Sequence, residues 1–260
     1  MLLVLSPAKS LDFASPSWAQ PLSQPVFARQ AAELARVMRG YSPQGLAELL
    51  DISEALASLN VARYAAWRAK PQATSVRAAV QAFNGDVYDG LQASALKPAA
   101  LQWLDAHVAI LSGLYGVLKP LDAMQAYRLE MGTALPTARG DSLYAYWGDR
   151  IAKHLRQRLQ ELDSDVLVNL ASVEYFKAVN LAALKAQVLE CVFQDWQNGQ
   201  FRVVSFFAKR ARGSMARFAA QHRLRRVDDL RGFDADGYLW DKDASSTQRL
   251  VFRRRLNVKA

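Results

Sequence analysis

Three apolar runs in this chain each lead into lysine. LLVLS (residues 2–6) runs into Pro7-Ala8-Lys9, DVLVNLAS (165–172) into Glu174 and Lys177, and FRVVSFF (201–207) into Lys209, Arg210 and Arg212. Such a set can bind anions. A lysine crowded by other cations or stripped of water also loses basicity and becomes a nucleophile, so Lys9 and Lys177 are candidate catalytic amines and Glu174 a candidate acid or base. Ser6-Pro7-Ala8-Lys9 matches Ser-x-x-Lys, in which an amine activates a serine, but the Ser-Asp-Asn and Lys-Thr-Gly segments that accompany that motif do not occur. Asp86 and Asp241 are further carboxylates in turn-rich or strand-end sequence. Arg128 and Glu130 stand among Tyr127, Leu129 and Met131, and burying either charge alone is costly, so they are expected to pair. Two roles fit that pair: Arg128 as a cleft wall oriented by Glu130, or an ion pair that locks the loop.

These groups meet only if the strands carrying them lie side by side and point the same way. The pattern predicts a mixed α/β fold, with a central mixed β-sheet flanked by helices in one domain spanning 1–260. Strands are expected at 2–6, 107–111, 165–170, 188–193 and 201–207, and Asn198-Gly199 signals a hairpin between the last two. Parallel neighbours would bring Lys9, Lys177, Lys209 and Arg212 to one basic cleft, with Ser6, Asn169, Ser172 and Ser205 nearby. Ser172 is expected to cap the helix that starts at Val173, and a capped helix end also suits an anion. Residues 26–70 form a helical insertion. Within it Ser42-Pro43 starts one helix, Ser53 caps a second, and Leu50, Asp51, Ile52 and Ser53 form the turn between them. Two short helices about a tight turn resemble a helix-hairpin-helix element, which grips phosphate through backbone N–H groups, although the usual turn glycines are replaced here. The plain alternative is a helical pair with Leu46, Leu49, Leu50, Leu56 and Leu59 in the core.

Charge narrows the partners. Of 33 basic and 24 acidic residues, 15 basic and 6 acidic fall in 201–260, so the whole net charge of +9 comes from that segment. Lys209, Arg210, Arg212, Arg217, Arg223, Arg225 and Arg226 therefore predict a basic face for an anionic partner, with Phe206, Phe207, Phe218 and Tyr238 as candidate stacking residues. No basic leader or long apolar span opens the chain, which points to a cytoplasmic protein with no membrane association. One cysteine, Cys191, excludes an internal disulfide and a cysteine cluster, and an apolar run places it in the core. His107, His154 and His222 fall singly, and Asp234, Asp236, Asp241 and Asp243 are expected to form a turn, so neither a metal nor another cofactor is expected. Metalloprotease, phosphate-loop and dinucleotide fingerprints do not occur.

Five blocks, SPAKSLDF, FNGDVYDGL, LSGLYGVLKPLDAMQAYRLEMG, NLASVEYFKAV and FFAKRARGSMARF, resemble the YaaA family, also called DUF328 or UPF0246, from Met1 to about Phe252. That resemblance implies a role in the peroxide-stress response, protecting DNA from oxidative damage by restraining free iron. It further implies binding of double-stranded DNA, including mismatched or damaged duplex, in a basic cleft, with Leu49 to Ala57 as the hairpin element. No catalytic reaction comes with it. An enzyme acting on a nucleic-acid or phosphorylated substrate, or on a small anionic ligand, is the alternative.

Overall fold

The computed structural model describes residues 1–18 and 20–255; the last five residues of the expected domain lie outside them. The framework is an eight-stranded mixed sheet built from β1 (Leu2–Leu5), β2 (Val108–Ser112), β3 (Gly116–Leu118), β4 (Val166–Leu170), β5 (Gln187–Gln197), β6 (Gln200–Arg202), β7 (Leu239–Ser246) and β8 (Arg249–Arg254). The order across the sheet is β7-β8-β5-β4-β1-β2-β3, with β6 also on β5. Five neighbours, β8, β5, β4, β1 and β2, run parallel, and β7, β6 and β3 return antiparallel. Every residue of β1 is buried, which is why Leu-Leu-Val-Leu carries no alternation: both faces of a central parallel strand are covered.

Helices fill the connections: α1 (Ala28–Met38), α2 (Pro43–Leu50), α3 (Glu54–Ala66), α4 (Asp86–Leu91), α5 (Pro98–His107), α6 (Arg150–Glu161), α7 (Val173–Phe176) and α8 (Ser205–His222). The expected start signals act as anticipated. Ser42 accepts from Gly45 N with Pro43 at the first helical position, and Ser53 accepts from Leu56 N. Between them Asp51 adopts a left-handed conformation (φ 50°), which closes α2 without a glycine. Leu46 and Leu50 are buried, whereas Leu56 and Leu59 are exposed, because α3 turns Ala57, Asn60 and Tyr64 inward instead.

One expected strand is corrected. FRVVSFF gives only Phe201 and Arg202 to β6, and from Ser205 the chain is helical. Its apolar run was misleading because Ala208, Ala211, Met215, Ala216, Ala219 and Ala220 continue it at helical spacing, and those small residues are buried. They let α8 lie close on α4: a Cβ added at Gly213 would stand 1.7 Å from Val87 O, and one at Gly90 would stand 2.0 Å from Arg210 O. The hairpin is as expected, with Asn198 (φ 48°) and Gly199 (φ 83°) turning β5 into β6. The expected acidic turn divides: Asp234 and Asp236 lie in or beside a 3-10 turn (Ala235–Gly237), but Asp241 and Asp243 are in β7.

Candidate functional site at the sheet switch point

After β1 the chain passes to β2 on one side, and after β4 it passes to β5 on the other, so β1 and β4 form a topological switch point. Crevices at the carboxyl ends of such strands are where open α/β sheets bind ligands. Two serines join the strand ends there. Ser172 N donates to Ser6 Oγ at 2.8 Å, and Ser6 Oγ donates to Ser172 Oγ at 3.3 Å. Ser172 therefore does not cap α7 with its side chain, contrary to expectation; its hydroxyl is turned to Ser6. Asn169 Oδ1 closes the turn by accepting from Ala171 N at 2.9 Å.

Lys9, Arg128 and Glu130 stand at the same end. Glu130 Oε1 accepts from Arg128 Nε at 3.0 Å, and Lys9 Nζ lies 3.7 Å from that oxygen. The carboxylate is 14% exposed and Lys9 is 69% exposed, so the pair is an anchored acid with a solvent-facing amine. Glu130 Oε2 is enclosed without a partner. Pro7, Ala8, Tyr127, Leu129 and Tyr175 complete a small pocket about these charges. Burial pushes the Tyr64, Tyr127 and Tyr175 phenols up, and the Glu130 carboxylate beside them adds to the effect, so all three remain neutral hydrogen-bond groups. Tyr64 Oη donates to Arg128 O at 2.8 Å, and Tyr127 Oη shares a 2.6 Å bond with Ser112 Oγ.

The other candidates are distributed as follows. Glu174 Oε1 accepts from Gly132 N at 3.0 Å, and Lys177 Nζ lies 4.9 Å from the centre of the Tyr144 ring, whose hydroxyl donates to Glu174 O. Lys209, Arg210, Arg212 and Arg217 do not flank a strand end, because they ride on α8. Lys209 and Arg210 are exposed and lie 3.9 Å from Asp86 and Asp236, respectively, while Arg217 donates to Gln92. Arg212 is partly buried on the β5 side of the helix, where desolvation lowers its pKa against the pull of Glu190. Arg223, Arg225 and Arg226 follow, all exposed. Leu50 is buried, Ile52 half-buried, and Asp51 and Ser53 exposed at the α2–α3 turn.

The chain matches the family model described as Peroxide stress protein YaaA over residues 1–244. It belongs to the YaaA family. UPF0246 proteins of Bordetella petrii (55% identical), Albidiferax ferrireducens (56%) and Paracidovorax citrulli (57%) each align over 98% of this chain and over 98–100% of their own length. YaaA membership gives the chain a place among peroxide-stress proteins. No helix among the described residues is long and apolar enough to cross a membrane. Among those residues no three His, Cys, Asp or Glu side chains are grouped to hold a metal ion. Cys191 is a buried free thiol whose pKa burial pushes up to about 12.

Several chemistry-bearing residues escaped sequence reasoning. Of the four candidate stacking residues, Tyr238 is buried with its hydroxyl on Asp195, and only Phe206 is clearly exposed. Trp196 and Phe201 were not singled out, yet they face each other across β5 and β6 with ring centres 4.9 Å apart. Their signal was in the sequence: an Asn-Gly turn at 198–199 aligns 197 with 200 and therefore 196 with 201.

Proposed function

We propose that this chain is a DNA-binding peroxide-stress protein that protects DNA from oxidative damage and limits free intracellular iron. The observation that carries the reading is the layout of its excess charge: Lys209, Arg210, Arg217, Arg223, Arg225 and Arg226 follow one another along α8 and the turn after it. Their ion pairs with Asp86, Asp236 and Asp228 are 3.6–3.9 Å long and open to solvent, so phosphate can replace the carboxylates at little cost. The α2–α3 turn fits a second phosphate contact, because α3 is 13 residues long and presents free N–H groups and a positive dipole end beside Ser53. No donor set for iron accompanies these features among the described residues, so the effect on iron is proposed to be indirect.

The test is fluorescence anisotropy with a labelled duplex of about 20 base pairs over a salt series. Each lost phosphate contact lowers the log–log slope by ~0.9, so the triple variant Lys209→Ala/Arg210→Ala/Arg217→Ala is expected to reduce it by ~2.7. Ser53→Asp keeps a good cap while placing a negative charge at the α3 terminus, and is expected to weaken binding in the same assay. An unchanged slope in the triple variant removes α8 from the interface.

A second reading rests on the Lys9–Glu130–Arg128 cluster at the switch point. There the chain would act on a nucleic-acid or phosphorylated substrate that exposes an aldehyde, with Lys9 as the amine and Arg128 as the anion contact. Lys9 Nζ would add to the carbonyl carbon, and loss of water would leave an imine, with Glu130 carrying protons to and from the adduct. Borohydride reduction with abasic-site DNA traps such an adduct. It should be absent in Lys9→Ala, and no adduct in the parent between pH 5 and 9 rejects this reading.

A further inference from the structure

β4 pairs with β5 only as far as Glu190, but β5 runs on to Gln197. The β5–β6 hairpin and the end of β8 therefore extend ~20 Å beyond the last β4 partner, at ~3.3 Å per residue. On one face of this extension aromatic rings and guanidinium groups interleave. Arg253 lies 4.5 Å from the centre of the Phe201 ring, Phe201 meets Trp196 edge to face, and Arg255 lies 3.9 Å from the centre of Trp196. Trp196 is 38% exposed and Leu239, opposite Arg253 on β7, is 64% exposed. Burial alternates along β5, with Leu189, Cys191, Phe193 and Asp195 directed to the core, so Trp196 is carried by the opposite face of the sheet from the core.

We propose that this arginine–aromatic ladder is a binding surface for single-stranded nucleic acid, separate from both the switch-point pocket and the α8 cation row. It rests on the nucleic-acid reading above and adds a second kind of partner, an unpaired strand. Protein interfaces also enrich aromatic residues and arginine, so a protein partner is kept as an outcome of the test. Here flat rings alternate with flat cations, which is how a surface accommodates successive bases and the phosphates between them without reading sequence. Arg253 is held by Asp241 at 2.7 Å and by Gln194 at 2.9 Å, so one rung is pre-set in its stacked orientation. Arg255 over Trp196 offers a second planar cation, able to swing to a phosphate while a base takes its place on the indole.

The test compares three labelled probes by anisotropy: a 15-nucleotide oligothymidylate, the matching oligouridylate and a 20-base-pair duplex. Trp196→Ala and Phe201→Ala should each weaken single-strand binding at least ~5-fold, Trp196→Phe should retain most of it, and duplex affinity should stay within twofold of the parent. The DNA and RNA arms show which strand is preferred; a preference in either direction upholds the surface. Oligothymidylate should also quench tryptophan fluorescence in the parent and less in Trp196→Phe. Single-strand affinity unchanged in both alanine variants, with native circular dichroism, overturns the ladder while leaving duplex binding by α8 intact. Loss of duplex binding in the parent, with ladder-dependent single-strand binding, does the reverse. A concentration-dependent dimer that Trp196→Ala dissociates, without loss of strand binding, also overturns it.

Discussion

Arg254, Asp195 and Tyr238 make the most consequential side-chain group outside the switch point. Asp195 Oδ1 accepts from Arg254 Nε at 2.5 Å, and its other oxygen accepts from Tyr238 Oη at 2.8 Å. Arg254 also stacks over Phe207 and Tyr238, so it ties β8, β5 and the start of α8 together. Arg254→Met strips one partner from a buried carboxylate and is expected to cost ~3–5 kcal/mol in urea unfolding. The double variant Arg254→Met/Asp195→Leu should recover part of that loss.

Two histidines give stability a defined dependence on pH. Desolvation lowers the pKa of His107 and of His154, with nearby Arg158 adding to the effect in both. The unfolded chain, with ordinary histidines near 6.5, then binds more protons than the native state as pH falls through that value. The stability contributed by keeping them neutral is present above about pH 6.5 and is lost below it. Thermal unfolding should therefore fall between pH 7.5 and 5, and His107→Gln/His154→Gln should flatten that fall.

Among the elements, α8 does most to set where the cations of the C-terminal segment lie. It reaches α4 through Gly213 and Gly90, and neither glycine has room for a methyl group. Gly213→Ala must push Val87 and α4 away and is expected to destabilise by ~1–3 kcal/mol or more; under the proposed DNA-binding function it should also lose duplex affinity, because the cations ride on the displaced helix. Ser214→Ala, one residue on, removes a 3.2 Å hydrogen bond to Asp236 without adding volume and should keep duplex affinity. Circular dichroism melts and anisotropy on the two variants separate packing from charge. The helix itself was only partly legible. FRVVSFF has the branched and aromatic composition of a strand, and nothing local marks Ser205 as a start, since Val204 supplies no capping side chain.

Over the whole molecule, the parallel order β8-β5-β4-β1-β2 determines which residues can share a site. Lys9, Ser6 and Ser172 come together because β1 and β4 are neighbours with a common direction, as the runs 2–6 and 165–170 suggested. Lys209 reaches that region from α8, where it pairs with Asp86, whose neighbour Gly85 packs on Ala8 beside Lys9; Arg212 lies instead against the β5 side of the helix. What the structure corrects is the origin of the cations: Lys9 follows a sheet strand, whereas Lys209, Arg210, Arg212 and Arg217 ride on α8.

By itself the sequence determined the strands expected at 2–6, 107–111 and 165–170, which form within a residue of those bounds, the caps at Ser42 and Ser53, the Asn198-Gly199 hairpin and the family, because each depends on neighbours within a few residues or on long matched blocks. The Arg128–Glu130 pair also followed from its apolar company. Only the tertiary structure decided that Lys9 joins that pair, that Ser172 bonds Ser6 instead of capping, and that Arg253 and Arg255 stack on Phe201 and Trp196. Those contacts join residues separated by up to 166 positions, and strand order, which no local pattern encodes, is what closes such distances.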